Sequence, residues 1–222
     1  MAGSCRESPL NDMKSAAYGL HVISTGRQSA AKFSAICGKI HPLVTAVHIR
    51  EKQRTASEIY ELISLLVQQG VPKGKIIVND RVDTAAAAKV KGVQLAYHSL
   101  GPSVVKKVFP DLLAGRSVHS LQEAEDAETE GADYLLFGHV FSTKSKEGVR
   151  PRGTEQLKEI TQKTRLPVIA IGGITPENTK QVIEAGSAGI AVMSGILEAA
   201  DPVEAARRYR EQLERTSGGD RA

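Results

Sequence analysis

The chain has 222 residues, of which 41% are hydrophobic, and 29 Lys and Arg against 25 Asp and Glu give it a net charge of +4. That length fits one domain with a sizeable core. The charge is mild and unclustered, and the five tyrosines and four phenylalanines supply few stacking platforms, so nucleic-acid binding is not indicated.

No apolar run approaches the ~20 residues of a membrane span. Cys5 and Cys37 lie in no metal-ligand or disulfide spacing. Residues 1–15 lack the apolar centre of a secretory signal, so a cytoplasmic location is expected. Residues 1–15 read as a flexible N-terminal extension, 16–215 as the folded domain, and 216–222 as a flexible tail.

Strand-like and helix-like stretches alternate along the chain. Strands are expected at Tyr18–Ser24, Val44–Arg50, Lys75–Asn79, Gly92–Ala96, Leu112–Val118 and Tyr134–Val140. Between and after them come helical patterns at Ser29–Ile40, Ala56–Gln69, Val82–Val90, Ser103–Phe109, Leu121–Glu130 and Gly153–Lys163. In Ala56–Gln69, for example, Ile59, Leu62, Leu65 and Leu66 share a face. The last two units begin at Pro167. Val168–Ile171 is an apolar run ended by Gly172-Gly173, and a helix starts near Pro176 with Thr175 as N-cap. Gly186 closes that helix, Ile190–Met193 is a further apolar run ended by Ser194-Gly195, and Pro202–Arg215 is the last helix.

Eight βα repeats without a gap predict a single (β/α)8 TIM barrel. A doubly wound open sheet is the other arrangement considered, but its G-x-G-x-x-G after the first strand is absent. In a barrel, polar residues at the C-terminal strand ends are the candidates for chemistry. Gly172-Gly173 and Ser194-Gly195 leave backbone N–H groups unobstructed at two strand ends about twenty residues apart in a βαβ frame. That is the usual phosphate position in barrels; tight turns alone would also account for the glycines.

His139 follows Gly138 at the end of a strongly apolar strand. An imidazole, titrating near neutral pH, can take and return a proton there, or it can be a hydrogen-bonded structural histidine. His119 and His48 are weaker candidates, and His48 fits equally well inside the barrel. Arg50 and Lys52 stand at the second strand end, where two cations can hold phosphate or carboxylate or simply be solvated. Asn79 and Asp80 end the third strand. One carboxylate is a thin case for a metal site, and Asp80 has Arg81 or Lys52 as candidate partners. The loop FSTKSKEGVRPRG, residues 141–153, is long and basic. It reads as a lid over an anion or as solvated charge.

Taken together, VHIREK, IIVNDRVD, GVQL, GRSVHS, FGHVFSTKSK, VIAIGGIT and GIAVMSGI resemble the thiamine phosphate synthase superfamily. FGHVF with GRSVHSLQEAE and GIAVMSGI looks more closely like its TenI group, the thiazole tautomerases. The similarity runs from about Leu20 to Arg210.

Two departures from the synthase pattern separate the branches. After strand six the synthase carries G-P-[IV]-F-x-T-x-T-K. Here the register reads Gly138-His139-Val140-Phe141-Ser142-Thr143-Lys144-Ser145-Lys146, so His139 stands in place of the proline. After strand four the synthase carries G-V-H-L-G-Q-x-D, whose Asp helps to bind the magnesium of a pyrophosphate substrate. Here Ser99 stands at that position.

The resemblance implies an isomerase of thiamine biosynthesis that aromatises an ylidene carboxythiazole ethyl phosphate to 2-(2-carboxy-4-methylthiazol-5-yl)ethyl phosphate. It implies His139 as the catalytic base, with His119 in possible support, and phosphate bound at Gly173, Met193 and Ser194. Arg50, Lys52, Asn79, Ser117 and Lys146 would line the carboxylate and ring. No metal or organic cofactor is implied, the partner is the small phosphorylated thiazole carboxylate, and a homodimer is the family-based expectation. A functioning thiamine phosphate synthase and a non-catalytic phosphate-binding regulator are the alternative readings.

Overall fold

The computed structural model describes residues 19–218. The sequence-predicted N-terminal extension, Tyr18 and the last four residues of the tail lie outside them. Eight parallel strands close into a barrel in sequence order: β1 (Gly19–Ile23), β2 (Ala46–Ile49), β3 (Ile76–Asn79), β4 (Gly92–Leu95), β5 (Leu113–Val118), β6 (Tyr134–Gly138), β7 (Val168–Ile171) and β8 (Gly189–Val192), with β8 pairing back onto β1. The helices between and after them are α1 (Ala30–Ile40), α2 (Ala56–Gln68), α3 (Val82–Ala88), α4 (Pro102–Val108), α5 (Leu121–Thr129), α6 (Gly153–Lys163), α7 (Thr179–Glu184), α8 (Ser194–Leu197) and α9 (Pro202–Gly218). Among the described residues, no helix is long and apolar enough to cross a membrane.

Each strand splits its side chains between two environments, as the period of two requires. Leu20, Val22, Val47, Ile49, Val93, Leu135 and Phe137 face outward into one large cluster beneath the helices. Ile23, Ala46, Ile77, Leu113, Tyr134, Leu136, Ile169 and Ala191 face inward into a second cluster that fills the barrel. Burying both strand faces explains why most of these short strands read as continuous apolar runs. Capping residues start several helices at the expected places. Ser29 accepts from Lys32 N, and Thr55 and Glu58 form a reciprocal capping box that opens α2.

Three local expectations are corrected. The helix predicted from Pro176 begins as a 3-10 turn over Pro176–Asn178, and α7 follows only from Thr179. The cause is a capping box in which Thr175 N donates to Asn178 Oδ1, which tightens the first turn. Ser194-Gly195 do not merely end β8; they open the short helix α8. The final helix continues to Gly218, three residues past Arg215.

Candidate active site

The C-terminal end of the barrel collects the predicted polar positions. On β7 and β8 the register pairs Ile171 with Ala191, so the residues that follow, Gly172-Gly173 and Met193-Ser194, leave neighbouring strands side by side. Gly172 and Gly173 have φ of 100° and 65°, in the left-handed region that favours glycine. Asn178 Nδ2 donates to the Gly173 carbonyl at 3.0 Å and pins that turn from below. Met193 is half-buried and Ser194 is exposed at the start of α8. The Gly173, Met193 and Ser194 main chain is therefore grouped at one edge of the mouth, where helix and 3-10 starts favour an anion.

His139 packs directly against this turn. A Cβ on Gly172 would collide with His139 Cβ, and a Cβ on Gly173 would lie 2.8 Å from Phe141 Cβ. The glycine pair thus does two things: it turns the chain after β7 and makes room for the segment that follows β6. That segment is fastened by Val140 N to Ile171 O at 2.9 Å and Phe141 N to Gly172 O at 3.0 Å. The Gly138–His139 peptide is cis.

The tautomer of the neutral His139 ring follows from its partner. Nε2 lies 3.1 Å from the Val149 carbonyl oxygen. A carbonyl only accepts, so Nε2 carries the hydrogen and Nδ1 keeps its lone pair in the neutral ring. The 141–153 loop returns to this residue, since Arg152 N donates to His139 O at 3.0 Å and Gly153 N to Val140 O at 3.1 Å. The loop is thereby clasped onto His139 at both main chain and side chain. His139 is 8% exposed, largely buried with a little of its surface left to solvent.

His119, one residue beyond β5, lies on the other side of the same peptide. Its Nδ1 is 2.7 Å from the Gly138 carbonyl oxygen, so by the same reasoning Nδ1 donates and Nε2 is the accepting nitrogen of the neutral ring. Glu123 Oε2 accepts from His119 N at 2.7 Å and holds the backbone there. Ser117, half-buried, accepts from Gln94 Nε2 at 3.0 Å.

The remaining candidates spread around the rim. Arg50 is half-buried, with its main-chain N donating to Ser24 Oγ at 2.8 Å. Lys52 is exposed, and Lys146 is exposed in the 3-10 turn of the 141–153 loop. Asn79 ends β3 half-buried.

Asp80 departs from expectation. Arg81 forks onto Asp83 rather than onto Asp80, and holds the Asp83 carboxyl down at about 2, chiefly through this hydrogen bond. Asp80 Oδ1 instead accepts from Ser99 Oγ at 2.6 Å, with His98 Nε2 at 3.8 Å from Oδ2. The Ser99 hydroxyl thus engages one of the two Asp80 carboxylate oxygens. Among the described residues there is no group of three or more His, Cys, Asp or Glu side chains able to hold a metal ion.

His48 is not at the mouth. It lies inside the barrel, with its Nε2 3.0 Å from Nδ1 of His21. Sequence reasoning gave no role to His21, Gln94, Tyr134 or the Val149 carbonyl. The first three sit in strand runs that look like ordinary core, and a main-chain acceptor leaves no residue signal at all.

Residues 20–196 match the family described as TMP-TENI, thiamine monophosphate synthase. The chain belongs to this family. It is 39% identical over 202 residues to the thiamine-phosphate synthase of Pyrococcus abyssi, covering 90% of this chain and 96% of that one. It is 35% identical over 206 residues to the enzyme of that name from Moorella thermoacetica, covering 90% and 98%. Among solved structures, a thiamine phosphate pyrophosphorylase from Pyrococcus furiosus superposes with a TM-score of 0.78 at 35% identity, covering 90% of this chain and 96% of that one. A geranylgeranylglyceryl phosphate synthase from Thermoplasma acidophilum, at 16% identity and a TM-score of 0.72, shares the fold alone. The family is thus one of thiamine biosynthesis, and the relatives carry the synthase name rather than the tautomerase name that the motifs suggest.

Proposed function

We propose that this chain is a thiazole tautomerase. It would convert the ylidene form of carboxythiazole ethyl phosphate into the aromatic 2-(2-carboxy-4-methylthiazol-5-yl)ethyl phosphate. The observation that carries the reading is the contact of His139 with the Gly172-Gly173 turn, with its Nε2 hydrogen engaged by Val149, which leaves Nδ1 as the accepting nitrogen of the neutral ring. A base at that place lies beside the main chain that would hold the substrate's phosphate at Gly173, Met193 and Ser194.

Nδ1 of His139 takes the proton from the sp³ ring carbon that bears the carboxylate. The electrons of that C–H bond enter the ring, and the exocyclic double bond takes the proton back from the imidazolium at its outer carbon. Aromatisation drives the shift, so a single general base, worth about 10²–10⁴-fold, is enough. Arg50, Lys52 and Lys146 are the cations proposed for the carboxylate, with Asn79 and Ser117 along the ring. His119 supports the Gly138–His139 peptide. The proton shift needs no metal, which suits a site that offers Ser99 rather than a second carboxylate beside Asp80.

A second reading, thiamine phosphate synthase, is favoured by the names and identities of the relatives. It would require magnesium on a pyrophosphate substrate, and the Asp80–Ser99 pair offers one carboxylate where two would be wanted.

One experiment separates the two. Purified protein is added to the ylidene substrate and ring aromatisation is followed by ultraviolet absorbance, with and without EDTA. A parallel reaction contains the pyrimidine pyrophosphate, the thiazole phosphate and magnesium. Metal-independent aromatisation that falls about 10²–10⁴-fold in His139→Ala is the expected result. Product only in the magnesium reaction would overturn the tautomerase reading and establish the synthase.

A further inference from the structure

Polar side chains run up the inside of the barrel where hydrocarbon fills the rest. Gln94 on β4, Gly115 on β5 and Tyr134 on β6 are register neighbours. Tyr134 Oη donates to Gln94 Oε1 at 2.6 Å, and Gln94 Nε2 donates to Ser117 Oγ at 3.0 Å. Tyr134 is fully buried and Gln94 is 2% exposed. Gly115 makes the meeting possible: a Cβ there would collide with the Tyr134 ring and lie 2.5 Å from Gln94 Oε1. Three strands have therefore given up apolar interior volume to build this chain of hydrogen bonds, at a desolvation cost that only complete pairing offsets.

The bonds have a direction. An amide has one accepting end and one donating end. With the phenol on Oε1, only N–H faces Ser117, so Ser117 Oγ accepts from below. Its own hydrogen is then not used within this chain of bonds. Ser117 is half-buried, two residues above Gly115 on β5, where the barrel interior opens into the mouth.

We propose that Tyr134 and Gln94 are positioning residues that hold Ser117 as a hydrogen-bond donor toward an anionic oxygen of the ligand. This rests on the proton-shift reading, and within it the oxygen belongs to the carboxylate on the ring carbon that loses its proton. Negative charge grows on that carboxylate as the proton leaves, so a donor aimed there acts on kcat more than on KM.

The test is a double-mutant cycle of Tyr134→Phe and Ser117→Ala on the aromatisation reaction. Ser117→Ala is expected to lower kcat about 10²- to 10³-fold, the range of a lost oxyanion donor. Tyr134→Phe is expected to lower it about tenfold with KM little changed, since the freed amide can flip and take Ser117's hydrogen. The double variant should be no slower than Ser117→Ala alone. Wild-type kcat in Tyr134→Phe, or losses that multiply in the double variant, would overturn the proposal. Should Tyr134→Phe fail to fold, Gln94→Met replaces it in the cycle with the same expectation. A wild type that does not accelerate aromatisation would sink the proton-shift reading instead. The cycle is then read in the Kd for the carboxythiazole phosphate by calorimetry, where losses that do not multiply support the relay and additive losses or no binding overturn it.

Discussion

The His21–His48 pair inside the barrel makes acid a specific destabiliser of this protein. The two rings meet Nδ1 to Nε2 at 3.0 Å, 3% and 1% exposed, so one hydrogen bridges two neutral imidazoles. Burial, with a smaller contribution from the charge of Lys91, lowers the His21 pKa to about 3. Burial, with His21 beside it, holds His48 well below the usual range. In the unfolded chain both titrate near 6.5. Between about 6.5 and 3 the unfolded state therefore binds protons that the folded state refuses. Stability is complete above 6.5 and falls as the pH drops through that window. Each pH unit costs about 1.4 kcal/mol per such group, so by pH 5 His21 alone removes about 2 kcal/mol, and His48 acts with the same sign. That is a large share of a typical stability of about 5–15 kcal/mol.

The assay is urea unfolding followed by circular dichroism near pH 7 and pH 5, on wild type and on the paired variant His21→Leu, His48→Met. Wild type should lose about 2 kcal/mol or more between the two conditions, and the paired variant much less. His41, whose pKa is also lowered, first by burial and then by Lys75, stays in both proteins and sets the residual slope. An equal loss in the two proteins, or a flat wild-type profile, would refute the reasoning.

Two further perturbations test the mouth. Gly172→Ala combines a φ of 100° with a collision against His139 Cβ. It should cost about 1–3 kcal/mol in a thermal or urea melt and lower kcat/KM more than about tenfold by displacing a positioned base. Gly131→Ala, at φ 81° with nothing within 4 Å, is the strain-only control; equal effects of the two would show that the His139 contact contributes nothing. Ser99→Asp places a second carboxylate on Asp80 in place of the hydroxyl at 2.6 Å. Its melting temperature should fall without magnesium and rise with millimolar magnesium, whereas wild type should respond little; an identical magnesium response in both proteins would remove the argument from the donor set.

The strand-end positions that make up the candidate site were legible before the fold. Gly172-Gly173 and Ser194-Gly195 announce themselves because glycine at a strand end means a turn or a close approach, and both turned out to be needed. His139 stands out because a titratable ring ends an apolar run. The partner of Asp80 was not legible. Arg81 is next to it in sequence, but the bidentate fork onto Asp83 takes the guanidinium away, and Ser99 reaches the carboxylate from across the β4 loop. The clasp of the 141–153 loop was open for a similar reason: its hydrogen bonds to His139 and Val140 are made largely by main chain, which every residue has.

The amino-acid pattern by itself determined the barrel. Eight apolar runs separated by helical periodicity admit few closed arrangements, because parallel strands need covering on both faces and right-handed crossovers to supply it. The family motifs, too, are local strings. What only the tertiary structure decided is the polar interior. Strands of four to six residues alternate too briefly to say which face turns inward, so Tyr134, Gln94 and His21 read as core until closure sets the register. Closure brings His21 to His48 across 27 positions and Tyr134 to Gln94 across 40. A buried polar group is tolerable only beside its complement, and which complement it finds is a property of the closed sheet.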